Sequence, residues 1–383
     1  MPEAVLVQPD IAFIEDVFAS GGGEFKKCQQ CAACVSTCSL SNGDNGFPRR
    51  QMLMAQWGLK DQLLADPGPW LCFYCGDCSK TCTRQANPGE TMMALRRYQT
   101  SAYDWTGLSR RMYRSAFWEI GILLLVALVV VLLFTVPSNF GFGLLNSSGP
   151  EPLNTVMLDR FAPKHVVHLG DAVMAFLLSA FLLSNAARTF SGMTRGSKIP
   201  MGTYLKQLPN VVVQGMTQKR WKDCKDPEAV ANWRRHLFLV TGYATMFLLV
   251  VPFLPWFQRE DTSFHWTSFL GYYATIALLF TTVTILFDRI RKRTEMHRFS
   301  HLSDWLFPIL LLLTAITGIV GHAFRMMNLP MATYVTYMVH LAIAVPMLVV
   351  EVPFGKWSHL LYRPLAMWIA AVREEAAKQQ GAA

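Results

Sequence analysis

Eight of the nine cysteines in this 383-residue chain fall into two runs of the same spacing. Cys28, Cys31, Cys34 and Cys38 form the first, and Cys72, Cys75, Cys78 and Cys82 the second. Three thiolates two residues apart can wrap one face of an iron-sulfur cubane, and the fourth ligand must then come from elsewhere in the chain. Where two such runs share a chain, the fourth cysteine of each serves the other cluster. That rule predicts one 4Fe-4S cluster on Cys28, Cys31, Cys34 and Cys82, and a second on Cys72, Cys75, Cys78 and Cys38. Disulfides do not suit a cytoplasmic segment, and structural zinc sites present paired halves instead of three cysteines in one stride. The proline that usually follows the fourth cysteine is replaced by Ser39 and Thr83, which alters a turn without removing a ligand. Cys224 stands alone and is read as a free thiol with no function.

The histidines are the second set able to do chemistry. All nine lie from His165 onward, none among the cysteines. Neutral imidazole is a common axial ligand of haem iron, and an ionisable group inside a bilayer usually faces the bundle interior with a partner. By depth, His236 and His359 fall near the side that carries the cysteines. His297 and His301 lie there too, among loop charges. His322, His340, His165 and His168 lie toward the other face, and His265 sits in a short outer loop. His340 and His359 are separated by about 28 Å if one helix carries both, nearly the hydrocarbon thickness. On an ideal helix their rings would also be about 100° apart, so Pro353 and Gly355 are expected to supply a bend. For each histidine, haem ligation and a hydrogen-bonded core imidazole are both open readings.

The elements that must position these groups divide sharply. The chain is 52% hydrophobic and 16% charged, yet residues 1–115 contain no apolar run long enough to cross a bilayer. Six apolar stretches follow, from Ala116 to Val136, Val166 to Ala187, Leu237 to Trp256, Trp266 to Phe287, Trp305 to Phe324 and Thr333 to Phe354. The expected domains are a cysteine-bearing head (1–115), a six-span body (116–365) and a C-terminal tail (366–383). Between the cysteine runs, Met52, Leu53, Leu59, Leu63 and Leu64 follow a helical stripe, which predicts a helical connector. No cleavable signal peptide is expected, because Met1 to Phe18 is acidic and lacks a continuous apolar stretch. With the head on the cytoplasmic side, the same-side loops hold fifteen Lys and Arg residues and the opposite side only Arg160, Lys164, Arg259 and Arg325. This is the positive-inside pattern, and it accounts for the net charge of +9 without a nucleic-acid partner.

The segments Trp70-Leu71-Cys72-Phe73-Tyr74-Cys75-Gly76-Asp77-Cys78 and Pro88-Gly89-Glu90-Thr91-Met92-Met93-Ala94-Leu95-Arg96 resemble the C subunits of heterodisulfide reductases, whose ferredoxin domain is all-helical. The remainder resembles the gamma subunits of respiratory nitrate reductases, which are dihaem quinol-oxidising cytochromes b. Fused in this order, nearly the whole chain is similar to the membrane C subunits of quinone-interacting membrane-bound oxidoreductase complexes. The resemblance implies an all-α fold, with a helical two-cluster ferredoxin domain followed by a six-helix transmembrane bundle of cytochrome b type. It implies an inner haem b held by His236 and His359, with His340 as a ligand of an outer haem b. The family's second outer ligand would fall near Met246, where this sequence departs. Gly318, Gly321 and His322 suggest His322 as the substitute, with His168 or Met246 itself as alternatives.

The same resemblance implies menaquinone as substrate in the inner cell membrane. Its implied partners are two heterodisulfide reductase A-like flavoprotein and iron-sulfur subunits, with adenylylsulfate reductase reached through them. Asp171 is a candidate proton acceptor for quinone chemistry or an interfacial carboxylate wetted by water. Glu351 could hydrogen-bond a haem propionate or simply snorkel. The rival readings are a membrane subunit of a heterodisulfide reductase or of an assembly for dissimilatory sulfite reduction, and a haem-free anchor or transporter whose clusters only sense redox state.

Overall fold

The computed structural model describes residues 8–41, 46–136, 155–219, 227–253 and 264–381, and every regular element among them is helical. Cys224, Trp256 and Arg259 lie outside the described residues.

The head is built around α1 (Pro88–Tyr103), whose proline occupies the first turn, where a missing amide hydrogen costs nothing. Met92 and Leu95 of α1 meet Phe13, Phe25, Met52 and Leu63 in one core. Met52, Leu63, Met92 and Leu95 are fully buried, and each contributes roughly 2 kcal/mol of burial. The connector between the cysteine runs is helical, as the stripe predicts, but it breaks into Arg49–Gln56 and Lys60–Leu64. The break falls at Gly58, whose φ is +69° and where a Cβ would sit 2.7 Å from the Asp10 amide nitrogen. That close approach serves Asp10, which caps the helix Ile11–Val17 by accepting from Phe13 N at 2.9 Å.

The body contains α2 (Ala116–Thr135), α3 (Lys164–Thr194), α4 (Pro227–Val250), α5 (Thr267–Ile290), α6 (Ser303–Met326) and α7 (Pro330–Pro346). Among the described residues, five helical segments are long and apolar enough to cross a membrane: α2, α3, α5, α6 and Pro330–Glu351. The sixth expected span corresponds to α4. Arg234, Arg235 and His236, within that helix and just before the expected span, dilute its apolar character, and the end of the expected stretch lies outside the described residues. α4, α5, α6, α7 and α2 pack side by side in that order. Small residues permit the close approaches: a Cβ on Gly242 of α4 would come within 2.5 Å of the Ala277 Cβ of α5. α3 stands at the edge and turns Leu169, Val173, Phe176 and Leu183 outward.

His340 and His359 do not share one helix. α7 ends at Pro346, a widened turn runs over Met347–Glu351, and a second short turn at Lys356–Ser358 leads into α8 (His359–Gly381). Pro353 and Gly355 lie in the break, which is more than the expected bend. α8 also runs unbroken across the expected boundary at residue 365. Tyr362, Ala366 and Ile369 of α8 form a core with Trp70 and Tyr103 of the head and Met193 of α3.

Candidate metal centres

The two cysteine runs fold alike. In the first, Gln30 and Ala32 take left-handed backbone conformations (φ 58° and 66°); in the second, Tyr74 and Gly76 do so at the corresponding places (φ 57° and 87°). Each pair of left-handed residues turns the chain sharply between the first and third cysteines of its run. A short helix follows in each run, Ala33–Thr37 and Asp77–Lys80. The side chains of Thr37 and Thr81, equivalent residues of the two runs, meet at 3.2 Å. The repeat is thus spatial as well as sequential, and the two runs face one another across these threonines.

Cys28, Cys31, Cys34 and Cys82 line one pocket together with Arg49 and Arg84. On the other side, Cys72, Cys75 and Cys38, and Cys34 of the first run, all act on the charge of Cys78. Burial pushes the Cys34 thiol up to about 11 and raises Cys78 as well, with neighbouring cysteines adding to both. Thiols raised in this way are protonated at neutral pH, and a metal bound among them would displace those protons. The sulfurs are also supplied with donors. Tyr74 N donates to Cys72 Sγ at 3.3 Å, Ala86 N to Cys82 Sγ at 3.4 Å, and Gln30 Nε2 to Cys28 Sγ at 3.6 Å. Donors to sulfur stabilise added negative charge and tune the potential of a bound cluster.

The second run is tied to the body. Tyr74 Oη donates to Glu90 Oε2 at 2.6 Å, and Arg97 Nη1 donates to Glu90 Oε1 at 2.9 Å. Arg97 Nη2 reaches Asp304 Oδ2 at the start of α6 at 3.2 Å, and Asp304 also pairs with Lys356. Burial raises the Glu90 carboxyl, with Arg97 opposing it. Burial also works against the charge on Arg97, but Asp304 and Glu90 hold it above the ordinary arginine range. Arg96 donates to the Cys72 carbonyl and, at 2.7 Å, to the Pro69 carbonyl. Trp70 stacks on Tyr362 of α8 with ring centroids 5.1 Å apart, and the Arg363 guanidinium lies 5.8 Å from the Phe73 ring.

This chain of contacts ends at His359, whose Nδ1–H donates to the Lys356 carbonyl at 2.8 Å. A neutral imidazole bonded in that way leaves Nε2 with its lone pair, the arrangement of an axial ligand held by its outer hydrogen bond. His236 Nδ1 is likewise engaged, 2.7 Å from Gln218 Oε1, and His236 and His359 are close enough to act on each other's charge. His340 Nδ1 sits 3.0 Å from Thr317 Oγ1. The Thr317 hydroxyl already donates to Leu313 O at 2.7 Å, so it accepts from the imidazole. The ring lies against Gly318, where a Cβ would be 3.4 Å from His340 Cε1. His322 is held differently: its Nε2 is 2.9 Å from the Tyr272 hydroxyl of α5. His168 and Asp171 are charge neighbours one turn apart on α3, both half-buried, and Met246 is half-buried on α4. His301 donates from Nε2 to Tyr113 O at 3.1 Å and serves the junction of head and body.

Two features went unnoticed in the sequence. Arg97 and Asp304 come from distant segments, and only folding unites them. Glu119, in the first turn of α2, lies near Glu351, and both are buried. Neither Glu119 oxygen has a hydrogen-bond partner among the described residues. Glu351 Oε2 accepts from Lys356 N at 3.1 Å, and a Cβ on Gly355 would overlap that oxygen. An acid in the first turn of an apolar helix is the one signal that could have singled out Glu119.

Residues 27–87 match the family model of a 4Fe-4S dicluster domain. The head carries the signature of a two-cluster iron-sulfur domain. Over 98 residues the chain is 35% identical to a protein of Archaeoglobus profundus that is named for its likeness to the C subunit of heterodisulfide reductase, covering 25% of this chain and 52% of that protein. Over 76 residues it is 33% identical to the C subunit of the H(2):CoB-CoM heterodisulfide,ferredoxin reductase of Methanothermobacter thermautotrophicus, covering 20% and 41%. The chain spans about half the length of the curated relatives it matches, and the similarity lies in the dicluster head. No solved structure matches. The chain thus joins a 4Fe-4S dicluster domain, similar to the C subunits of heterodisulfide reductases, to a helical body with segments long and apolar enough to cross a membrane.

Proposed function

We propose that this chain carries electrons between menaquinone in the cytoplasmic membrane and soluble flavin and iron-sulfur subunits, through two b haems and two 4Fe-4S clusters. The observation that supports it best is the unequal setting of the two cysteine sites. Cys72, Cys75, Cys78 and Cys38 hold the near cluster, against the body. Cys28, Cys31, Cys34 and Cys82 hold the far one, in a pocket open to a partner. When bound, these groups supply one-electron carriers in series. His236 and His359 hold the inner haem through Nε2, with Gln218 and the Lys356 carbonyl orienting the rings. His340 holds the outer haem together with His322, which must release Tyr272, or with His168. Asp171 accepts a proton beside the outer site, and Glu351 hydrogen-bonds a propionate at the inner one.

In this reading the head and both helix ends beside it face the cytoplasm. Arg49 and Arg84 favour a docking partner with an acidic rim. The partners are two heterodisulfide reductase A-like subunits, which pass electrons toward adenylylsulfate reductase. A second reading, a membrane subunit of a heterodisulfide reductase-like complex, is favoured by the similarity of the head to those C subunits. The proteins that copurify with the tagged chain separate the two.

The test is a pyridine haemochrome and reduced-minus-oxidised spectrum of the detergent-purified chain, beside an iron and sulfide count. The expected result is two b haems, one lost in His236→Ala and in His359→Ala, with the clusters retained. A folded wild-type chain with full clusters and no haem overturns the haem-linked path and leaves a cluster-bearing anchor.

A further inference from the structure

Between α3 and α4, two short helices, Met201–Lys206 and Leu208–Thr217, carry a surface that neither the thiol nor the imidazole chemistry uses. Their inner side packs on α8: Tyr204 is buried beside Trp368, whose indole N–H donates to the Tyr204 carbonyl at 2.9 Å. Gln207, Val211 and Gln214 are half-buried along the same side. On the outer side, Met201, Leu205, Leu208, Val212 and Met216 recur at intervals of four, three, four and four residues, the period of one helical face. Their exposures are 66%, 63%, 47%, 58% and 73%.

An apolar stripe of this length needs a cover, and its position says which. α3, whose outward face is apolar through Phe176 and Leu183, ends at Thr194, so the stripe begins one short bend beyond a membrane-crossing helix. Arg195, Lys198 and Lys219 flank it and are exposed, while Lys206 is tied to Glu375 of α8 at 2.5 Å. An apolar face rimmed by basic residues at the end of a span matches the boundary between acyl chains and anionic headgroups.

We propose that Met201–Thr217 lies in the plane of the membrane on the side of the dicluster head, with the stripe sunk in the leaflet and Arg195, Lys198 and Lys219 on anionic lipid. Fastened to α8 through Trp368 and Glu375, the helix pair holds at the lipid surface the same helix against which the head packs. The proposal rests on the membrane reading of α3 and not on the identity of the cofactors.

The experiment places a benzoylphenylalanine photocrosslinker at Val212 or Met216 of the full chain in phosphatidylcholine nanodiscs, with and without phosphatidylglycerol. A probe at Val211 reports the inner side, and one at Phe176 reports the membrane reading of α3 on its own. Retained cluster absorbance marks a folded sample, and Leu208 replaces any position that loses it. The expected result is lipid adducts at Val212 and Met216, several-fold fewer at Val211, and a higher yield with phosphatidylglycerol. Equal yields at Val211 and Val212, no lipid adducts at the stripe while Phe176 labels, no gain with phosphatidylglycerol, or crosslinks to a copurified protein in place of lipid would each overturn it.

Discussion

The two halves of the dicluster head share one backbone plan and differ in what surrounds it. Around the first run, neutral side chains do the holding: Gln56 donates to the Phe25 and Cys28 carbonyls at 3.1 and 2.7 Å, and accepts from Gln30 at 2.8 Å. Around the second, charged groups do it: Arg96 on the Cys72 carbonyl, and Tyr74, Glu90, Arg97, Asp304 and Lys356 in an unbroken series into the body. A duplicated loop can thus serve two tasks. The charged half sets distance and orientation to the body, and the neutral half stays accessible. Buried charges suit the first task because their pairing tolerates little displacement, whereas an accessible site needs no such lock.

The largest effect that would sharpen this comparison is loss of a cluster by crossed ligation. Cys82→Ala should remove the far cluster and Cys38→Ala the near one, each lowering non-haem iron and labile sulfide by about half. Electron paramagnetic resonance of the reduced chain checks it. If Cys82→Ala instead removes the near cluster's signal, the crossing is wrong. Next in size, Arg97→Met leaves Glu90 and Asp304 buried without their shared cation, and should cost about 3–5 kcal/mol. Gln56→Met in the other half should cost only about 1–2 kcal/mol. Thermal bleaching of the cluster absorbance measures both, and equal costs would break the distinction between a charged lock and a neutral brace.

The smallest expected effect is a pH dependence at the junction. Burial, reinforced by Arg97, holds His301 down to about 4 from an ordinary 6.5. The unfolded chain therefore takes up this proton first. His301 should leave stability unchanged above about pH 6.5 and lower it as pH falls from there toward 4. His301→Gln should flatten that slope in a series of bleaching midpoints. An unchanged slope would assign the dependence to other groups.

The dicluster domain was legible because its cysteines recur at covalently set intervals, which spacing alone reports. The membrane-crossing segments were legible because lipid demands long apolar helices. What failed to show were features made by distance in the chain. Nothing local in Arg97 points to Asp304, and nothing in Glu119 points to Glu351. The separation of His340 from His359 onto two helices was only half visible: Pro353 and Gly355 mark a bend, but a glycine that must make room for Glu351 marks a break. α4 is the converse case: the helix begins at Pro227 and takes in Arg234 and Arg235, which the apolar stretch expected from Leu237 to Trp256 left out. The spatial identity of the two cysteine loops was hidden because the same left-handed turns are made by Gln30 and Ala32 in one run and by Tyr74 and Gly76 in the other.

The packing of α8 against the head sets an order of events during synthesis. Trp70 and Tyr103 leave the ribosome early, while Tyr362, Ala366 and Ile369, the residues that complete their core, follow only after all the spans have been made. Arg373, which bonds both the Ala65 and Met193 carbonyls, comes later still. Through membrane insertion the head is a folded unit with one wall missing, and that wall lies beside the second cysteine run. The second run is therefore the one whose surroundings change when translation reaches α8, whereas the residues lining the first-run pocket all belong to the head.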